Sequence, residues 1–468
     1  MTRKDFRVAL VGLDGITNDI ILKTLTHTTK LPAMTNIVKH CSLIKNLAST
    51  TPYITPVSWA SISTGIDMSQ IGIFDFFIYK ITHNKIQVEP VKASHIRAPR
   101  LWDVLAKKYK TFNIVVNVPP FYPAEPIRGI MVAGFPAPKL SAWPPYVMNL
   151  LRKYEYKVYV NTEALELKST ELVNELIDVV YSRTLFTIEL LKRVDWNFLF
   201  IVYLAPDTIM HKYGKFIYRY LFKDTKRGVS RKYFMYMVSI LSIIDKLLRE
   251  LLELCDVIIL ISDHGNIPVE REIFINELLL RIGTLKVKRV NRDTMTHFMK
   301  WNIFKLYSKI LRNIGSIDIG ASLKLINRML LRIQSISHEM IDVEKSNAFA
   351  VGTIQPCTIL ITRSSMSRRV LKAFDDMRIL NKKIIKKDFP KGNINGKWRI
   401  YVLEANEGFV FNPLRIGALS APSIRQCDHS KNCMFIAWNK DDVINTEKSP
   451  ITITHIFDYV IELFKINM

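Results

Sequence analysis

The sequence predicts an α/β sandwich, a mostly parallel central sheet with helices on both faces. Three observations predict it. Short β-branched runs recur and are nearly continuous in apolar character, the pattern of strands buried on both faces. Amphipathic helical stretches alternate with them, as in a chain that repeatedly crosses back over a parallel sheet. The 468 residues are 49% apolar and 23% charged, enough for a large core and inconsistent with a disordered or low-complexity chain.

Taken in order, Phe6–Leu13, Asn113–Val118, Gly129–Phe135, Asn197–Leu204 and Asp256–Ser262 read as buried strands. Leu172–Arg193 and Tyr233–Leu254 carry helical periodicity. From about Glu270 to Ile400 the pattern changes to basic amphipathic segments with fewer clear core strands. There Lys300, Lys305, Lys309 and Arg312 share a helical face opposite Ile303, Tyr307, Ile310 and Ile314. The bland reading of that face is a solvated helix surface; the functional one is a cap that shows positive charge to an anion. Met434–Trp438 restores a strand pattern, and Asp458–Lys465 closes the chain as a helix. The expected organisation is a catalytic core over 1–270, a basic and partly helical cap or insertion over 271–400, and a return to the core over 401–468.

Composition narrows the partners. A net charge of +24 favours anionic ones: a phosphoryl small molecule first, with nucleic acid or a membrane surface as further candidates. No aromatic-interleaved basic ladder of the single-strand-binding kind is visible. The cysteines, Cys41, Cys255, Cys357, Cys427 and Cys433, are odd in number and form no CxxC pair, which argues against a disulfide framework and fits a reducing compartment. Val8–Leu13 is too short for a signal peptide core, and the longest apolar stretch, Met237–Ile261, is broken by Asp245, Lys246, Arg249, Glu250, Glu253 and Asp256. A cytoplasmic location is therefore expected.

In open parallel sheets, ligands bind at the carboxyl ends of the strands. Asp14 follows the first strand, in Leu13-Asp14-Gly15; Asp207 follows the fourth; Asp263 and His264 follow the fifth, in Ser262-Asp263-His264-Gly265. An Asp after a strand is ordinarily a turn or cap residue, but a turn has no need of the imidazole. Asp207 and His211, four apart on a helix, can face one ion, and mixed Asp/His ligation suits zinc, manganese or iron. In Thr51–Gly65, Pro56 fits a first helical position, Thr55 the N-cap and Gly65 the stop. Such a helix start offers free N–H groups to a phosphate, and its hydroxyl is either a cap or a nucleophile. Asn117 follows a strand and is a further candidate for the site, or a turn residue before Pro119.

In order and spacing, these motifs resemble the type I phosphodiesterase/nucleotide pyrophosphatase family of the alkaline phosphatase superfamily, its prokaryotic branch in particular. Ala98–Asp103, Asn117–Pro120 and Gly134–Pro136 resemble recurring stretches of that branch. The resemblance runs from Val8 to about Leu280 and again near Asp428–Ala437. It implies an alkaline-phosphatase-like α/β/α sandwich and a hydrolase of phosphodiester or nucleotide-type substrates. It also implies two divalent metal ions, zinc foremost with manganese or iron as alternatives. Carried over by residue, Thr55 is the nucleophile that forms a phosphothreonine. Asp14, Asp263 and His264 hold the metal that activates the Thr55 hydroxyl, which itself joins the ligands. Asp207, His211 and, from Asp428-His429-Ser430, His429 hold the other.

Three departures stand out. The family's Asn three residues after the nucleophile, which helps hold the phosphoryl oxygen, is Ser58 here; its His-Gly after Thr-Gly, whose His is not a metal ligand, is Ile71-Gly72; and a Gly after the last His is Cys433. Ser58 is the expected substrate donor in place of that Asn. A sulfatase would need Cys or Ser at position 55, and the related mutases use Ser. Phosphomonoesterase or phosphotransferase chemistry remains as the enzymatic alternative, and an inactive basic binding protein as the non-enzymatic one.

Overall fold

The computed structural model describes residues 6–82, 85–160, 169–223, 228–288, 340–375, 385–387, 398–414, 417–423, 425–440 and 449–468. The basic face of Lys300, Lys305, Lys309 and Arg312 lies outside the described residues.

An eight-stranded sheet forms the centre, in the order Cys41–Ala48, Asn432–Asn439, Val257–Ile261, Val8–Leu13, Phe198–Tyr203, Asn113–Val118, Gly129–Ala133 and Ala142–Trp143. The five strands from Val257–Ile261 to Gly129–Ala133 run parallel; the outer strands pair antiparallel at both edges. Val8–Leu13, Phe198–Tyr203, Asn113–Val118 and Val257–Ile261 are buried at every position. Their unbroken apolar character follows from cover on both faces.

The alternation of side chains sorts them into two cores. Ala9, Val11 and Leu13 pack on one face with the helices Asn18–His27, Ser169–Arg193, Ala205–Phe222 and Val229–Leu254. Val8 and Leu10 pack on the other with Thr55–Thr64, Leu101–Tyr109 and His455–Asn467. This is the α/β/α sandwich that the strand–helix alternation predicts.

The described part of the region after Ile275–Arg281 holds the helix Ser367–Asp375 and more strand than the sequence pattern suggests. Ala348–Val351, Cys357–Arg363, Trp398–Glu404 and Ile385–Lys387 form an antiparallel sheet, the first two nearly wholly buried over a third core with Tyr53, Phe74 and Tyr79. Among the described residues no helix is long and apolar enough to cross a membrane.

A short ribbon completes the scaffold. Gly265–Pro268, directly after Asp263 and His264, pairs antiparallel with Cys427–Ser430, so that Asn266 faces His429. That pairing carries a late segment of the chain to the carboxyl edge of the parallel strands.

Candidate active site

Asp14, Asp207 and Asp263 each follow a strand of the parallel set and therefore meet at one sheet edge. Two triads result. Asp14, Asp263 and His264 form one and Asp207, His211 and His429 the other; within each, the candidate ligand atoms lie within 4.8 Å of one another. The rings of His264 and His429 stack at 3.7 Å, so the triads are neighbours.

The first triad is fully buried. His264 Nε2 lies 3.4 Å from Asp14 Oδ1 and 3.3 Å from Asp263 Oδ2. Asp14 Oδ2 accepts a 2.8 Å bond from the Trp59 indole N–H. Asp14 Oδ1 and Asp263 Oδ2 are buried with no hydrogen-bond partner among the described residues. Burial, followed by the charges of Asp263 and Asp207, pushes the Asp14 carboxyl well above the usual range. Burial, together with the Asp207 charge and against the pull of His264, pushes Asp263 up to about 7.

In the second triad, His211 Nε2 lies 3.2 Å from Asp207 Oδ2 and 3.0 Å from His429 Nε2. Burial works against the charged forms of both Asp207 and His211, but their mutual attraction wins: the carboxyl is lowered and the imidazole raised. His429, buried beside His264, falls to about 3.

The histidine tautomers follow from the backbone. Nδ1 of His211, His429 and His264 lies 2.9, 3.0 and 3.1 Å from the carbonyl oxygens of Cys427, Tyr53 and Gly265. A carbonyl only accepts, so each Nδ1 carries a proton, and in the neutral imidazole each Nε2 presents a lone pair inward. Two such lone pairs 3.0 Å apart repel unless a proton or a cation stands between them.

Two glycines allow the close approach. Gly15 has φ +70, and a Cβ there would stand 2.4 Å from Asn266 Nδ2 and 2.5 Å from Asp207 Oδ1. A Cβ on Gly12 would meet the Trp59 ring at 2.3 Å, so the indole that holds Asp14 needs a bare backbone in the first strand.

Thr55 departs from its expected local role. Ile54 is the N-cap of the helix Thr55–Thr64 and Thr55 its first residue; Gly65 ends it, as the sequence indicates. The Thr55 hydroxyl lies 3.4 Å from His264 Nε2. Both remaining candidates are buried. The Ser58 hydroxyl contacts those of Ser49 and Thr50 at 3.1 and 3.5 Å. Asn117 has φ +57 and donates to the Val202 carbonyl at 3.0 Å. Neither is among the residues that line the cleft.

That cleft, of about 190 Å³, opens over Thr55, Asp207, His211 and His429. Phe76, Phe135 and Tyr159 supply an aromatic wall, with Phe135 4.7 Å from Tyr159. Thr353, Ile354, Gln355 and Arg425 supply another part of the lining. Sequence reasoning missed several supports. Asn266 donates to Gly15 O at 3.0 Å and Asp207 Oδ1 at 2.7 Å, tying the triads together, and it directly follows the Asp-His-Gly motif. Buried Asp75 accepts from Phe76 N, the Tyr79 hydroxyl, and both the N–H and hydroxyl of Thr353, which fastens the cleft loop to the core.

The sequence matches the type I phosphodiesterase/nucleotide pyrophosphatase family over residues 8–349. The chain belongs to that family. Membership makes it a phosphoryl hydrolase by descent, and the triads give it two groups of side chains able to hold metal ions. No curated protein matches the sequence. Among solved structures, phosphonoacetate hydrolase from Sinorhizobium meliloti 1021, in complex with phosphonoformate, is similar with a TM-score of 0.60 at 13% identity, over 98% of this chain and 96% of that one. The same enzyme with phosphonoacetate gives 0.59 at 12% over the same shares. An inactive variant of murine ectonucleotide pyrophosphatase/phosphodiesterase 5, in complex with AMP, gives 0.52 at 13%, over 98% and 95%. At such identities the likeness is one of fold, and it bears out the alkaline-phosphatase-like sandwich.

Proposed function

We propose that the chain is a two-metal hydrolase of phosphodiester or nucleotide-type phosphoryl compounds, with Thr55 as nucleophile. One observation carries the reading: six potential ligands from distant segments converge beside the Thr55 hydroxyl. The residues fit divalent ions. Two buried carboxylate oxygens have no hydrogen-bond partner among the described residues, and three imidazoles are oriented by backbone carbonyls at Nδ1, which leaves Nε2 of the neutral ring facing inward. Asp14, Asp263 and His264, with Thr55, would hold one ion, and Asp207, His211 and His429 the other. The imidazole and carboxylate set favours zinc, with manganese or iron as alternatives. When bound, two such ions supply positive charge to a phosphoryl group and lower the pKa of a coordinated hydroxyl.

The chain's own groups do the rest. Thr55 Oγ1 forms a bond to phosphorus as the bond to the leaving oxygen breaks and the hydroxyl proton passes to the departing alcohol; water then cleaves the Thr55–phosphorus bond and releases the remaining phosphomonoester, with Thr55 regaining its proton. The rigid, wholly buried helix Thr55–Thr64 fixes the nucleophile. Phe76, Phe135, Leu204 and Ile354 exclude bulk water from the cleft. The five free cysteines support a reducing, cytoplasmic location, and we retain 271–400 as the cap between the two core segments. The test is turnover of bis(p-nitrophenyl) phosphate by zinc- or manganese-loaded protein, beside the monoester and the Thr55→Ala variant. Diester turnover that needs metal and Thr55 is expected. Monoester turnover alone would replace diesterase by phosphomonoesterase chemistry, and metal-loaded protein inert toward both would overturn the reading.

A further inference from the structure

We infer that Arg425 and Gln355 bind a second anionic group on the substrate, which makes the substrate class a small phosphoryl compound that also bears a carboxylate or a further phosphate. The inference rests on the two-metal reading above and deepens it. Both side chains line the cleft that opens over Thr55 and the second triad. Arg425 is 31% exposed and spends one guanidinium nitrogen on Asp428, a 2.5 Å pair with a fully buried carboxylate. Asp428 is itself fixed, since its other oxygen accepts the His429 N–H at 2.8 Å. The guanidinium is thus held from behind, beside a metal-ligand candidate, with donors left for the cleft. A guanidinium has no lone pair to offer a cation, so its partner in the cleft is an anion or an acceptor.

Gln355 supplies an independent observation. It is 2% exposed, and its Nε2 is buried with no hydrogen-bond partner among the described residues. Native proteins seldom leave a buried donor unpaired outside a site that a ligand completes. Its backbone is pinned on both sides: N–H and C=O pair with Phe411, and the preceding Thr353 is held by Asp75. The unpaired amide therefore stands on a preorganised loop. A cation and a spare amide donor at one cleft select a charged oxygen acceptor in addition to the phosphoryl group.

The test compares two probes that differ by one carboxylate, ethylphosphonate and 3-phosphonopropionate, titrated calorimetrically into metal-loaded protein. Wild type is expected to prefer 3-phosphonopropionate by about tenfold or more. Arg425→Gln should bring that ratio close to one, and Arg425→Lys, which keeps a charge against Asp428, should leave an intermediate ratio. Gln355→Leu should lower it as well. The ratio within each variant is the readout, so a general loss of affinity does not imitate the effect. A wild-type ratio near one, with ethylphosphonate still bound, would overturn the second anion site and leave the two-metal reading intact. A full ratio in Arg425→Gln would overturn the assignment to Arg425. No binding of either probe to metal-loaded wild type would overturn the two-metal reading itself.

Discussion

Replacing Trp59 by Phe tests how the metal ligands are held. Trp59 is completely buried, and its indole N–H donates to Asp14 Oδ2 at 2.8 Å, while the other carboxylate oxygen faces His264. Burial and the neighbouring carboxylates disfavour the Asp14 anion in metal-free protein. A bound cation favours that anion, and a hydrogen bond to a charged group contributes about 1.5–3 kcal/mol against about 1 for a neutral pair. The difference appears as metal affinity. Loss of a hydrogen-bonded support of a ligand typically weakens binding by about 10–100-fold, or roughly 1.4–2.8 kcal/mol. The smaller ring also leaves a void worth about 1–2 kcal/mol of stability in both states. Trp102→Phe is the control, because Trp102 is equally buried and packs on Phe121 and Phe200. Calorimetric titration of zinc into apoprotein should show the tenfold or greater loss in Trp59→Phe only, while both variants melt earlier. Unchanged zinc affinity in Trp59→Phe, or an equal loss in both, would refute the argument.

Three further outcomes follow from the same geometry. Gly15→Ala forces a Cβ between Asn266 and Asp207 at positive φ and should cost about 2–4 kcal/mol together with zinc affinity at the second triad, read by denaturant unfolding and titration. Burial raises Asp75 from 3.8 to about 6 against the hydrogen bonds that it accepts. The folded state thus holds this proton more tightly than the unfolded chain, so the Asp75 contribution to stability falls as pH rises from about 4 to 6, by about 3 kcal/mol in all. Asp75→Asn should flatten that slope, and an unchanged slope would remove Asp75 as its cause. Chelation should lower stability by about 2.7 kcal/mol per site relative to protein at a free metal concentration 100 times Kd, and re-addition should restore it.

What could be read from the sequence was local. Asp14, Asp263 and His264 sit immediately after strands whose continuous apolar runs announce a covered parallel sheet. Asp207 and His211 share a helix face through simple i,i+4 spacing. His429 carries no such local signal: its place depends on the ribbon pairing Asn266 with His429, and only the family resemblance indicated it. Thr before Pro is the usual capping pattern and points to Thr55, whereas the extended Ile54 takes the cap with no side-chain signature. The strands of 348–404 stand in strongly basic surroundings that mask the buried-strand pattern of the Thr358–Thr362 run. Ser58 and Asn117 are buried, and the contacts of the Ser58 hydroxyl with Ser49 and of the Asn117 Nδ2 with the Val202 carbonyl follow from the fold and not from any spacing rule.

The most direct test of the central claim is to look for phosphate on Thr55. Metal-loaded protein turning over a phosphodiester would be quenched in acid, digested and mapped by mass spectrometry. The account predicts a Thr55 peptide that carries the phosphoryl group with its retained ester substituent, absent without metal and absent in Thr55→Ala, which should also lose turnover. Full turnover by Thr55→Ala, or diester hydrolysis with no phosphoryl adduct on Thr55 under any quench, would contradict it.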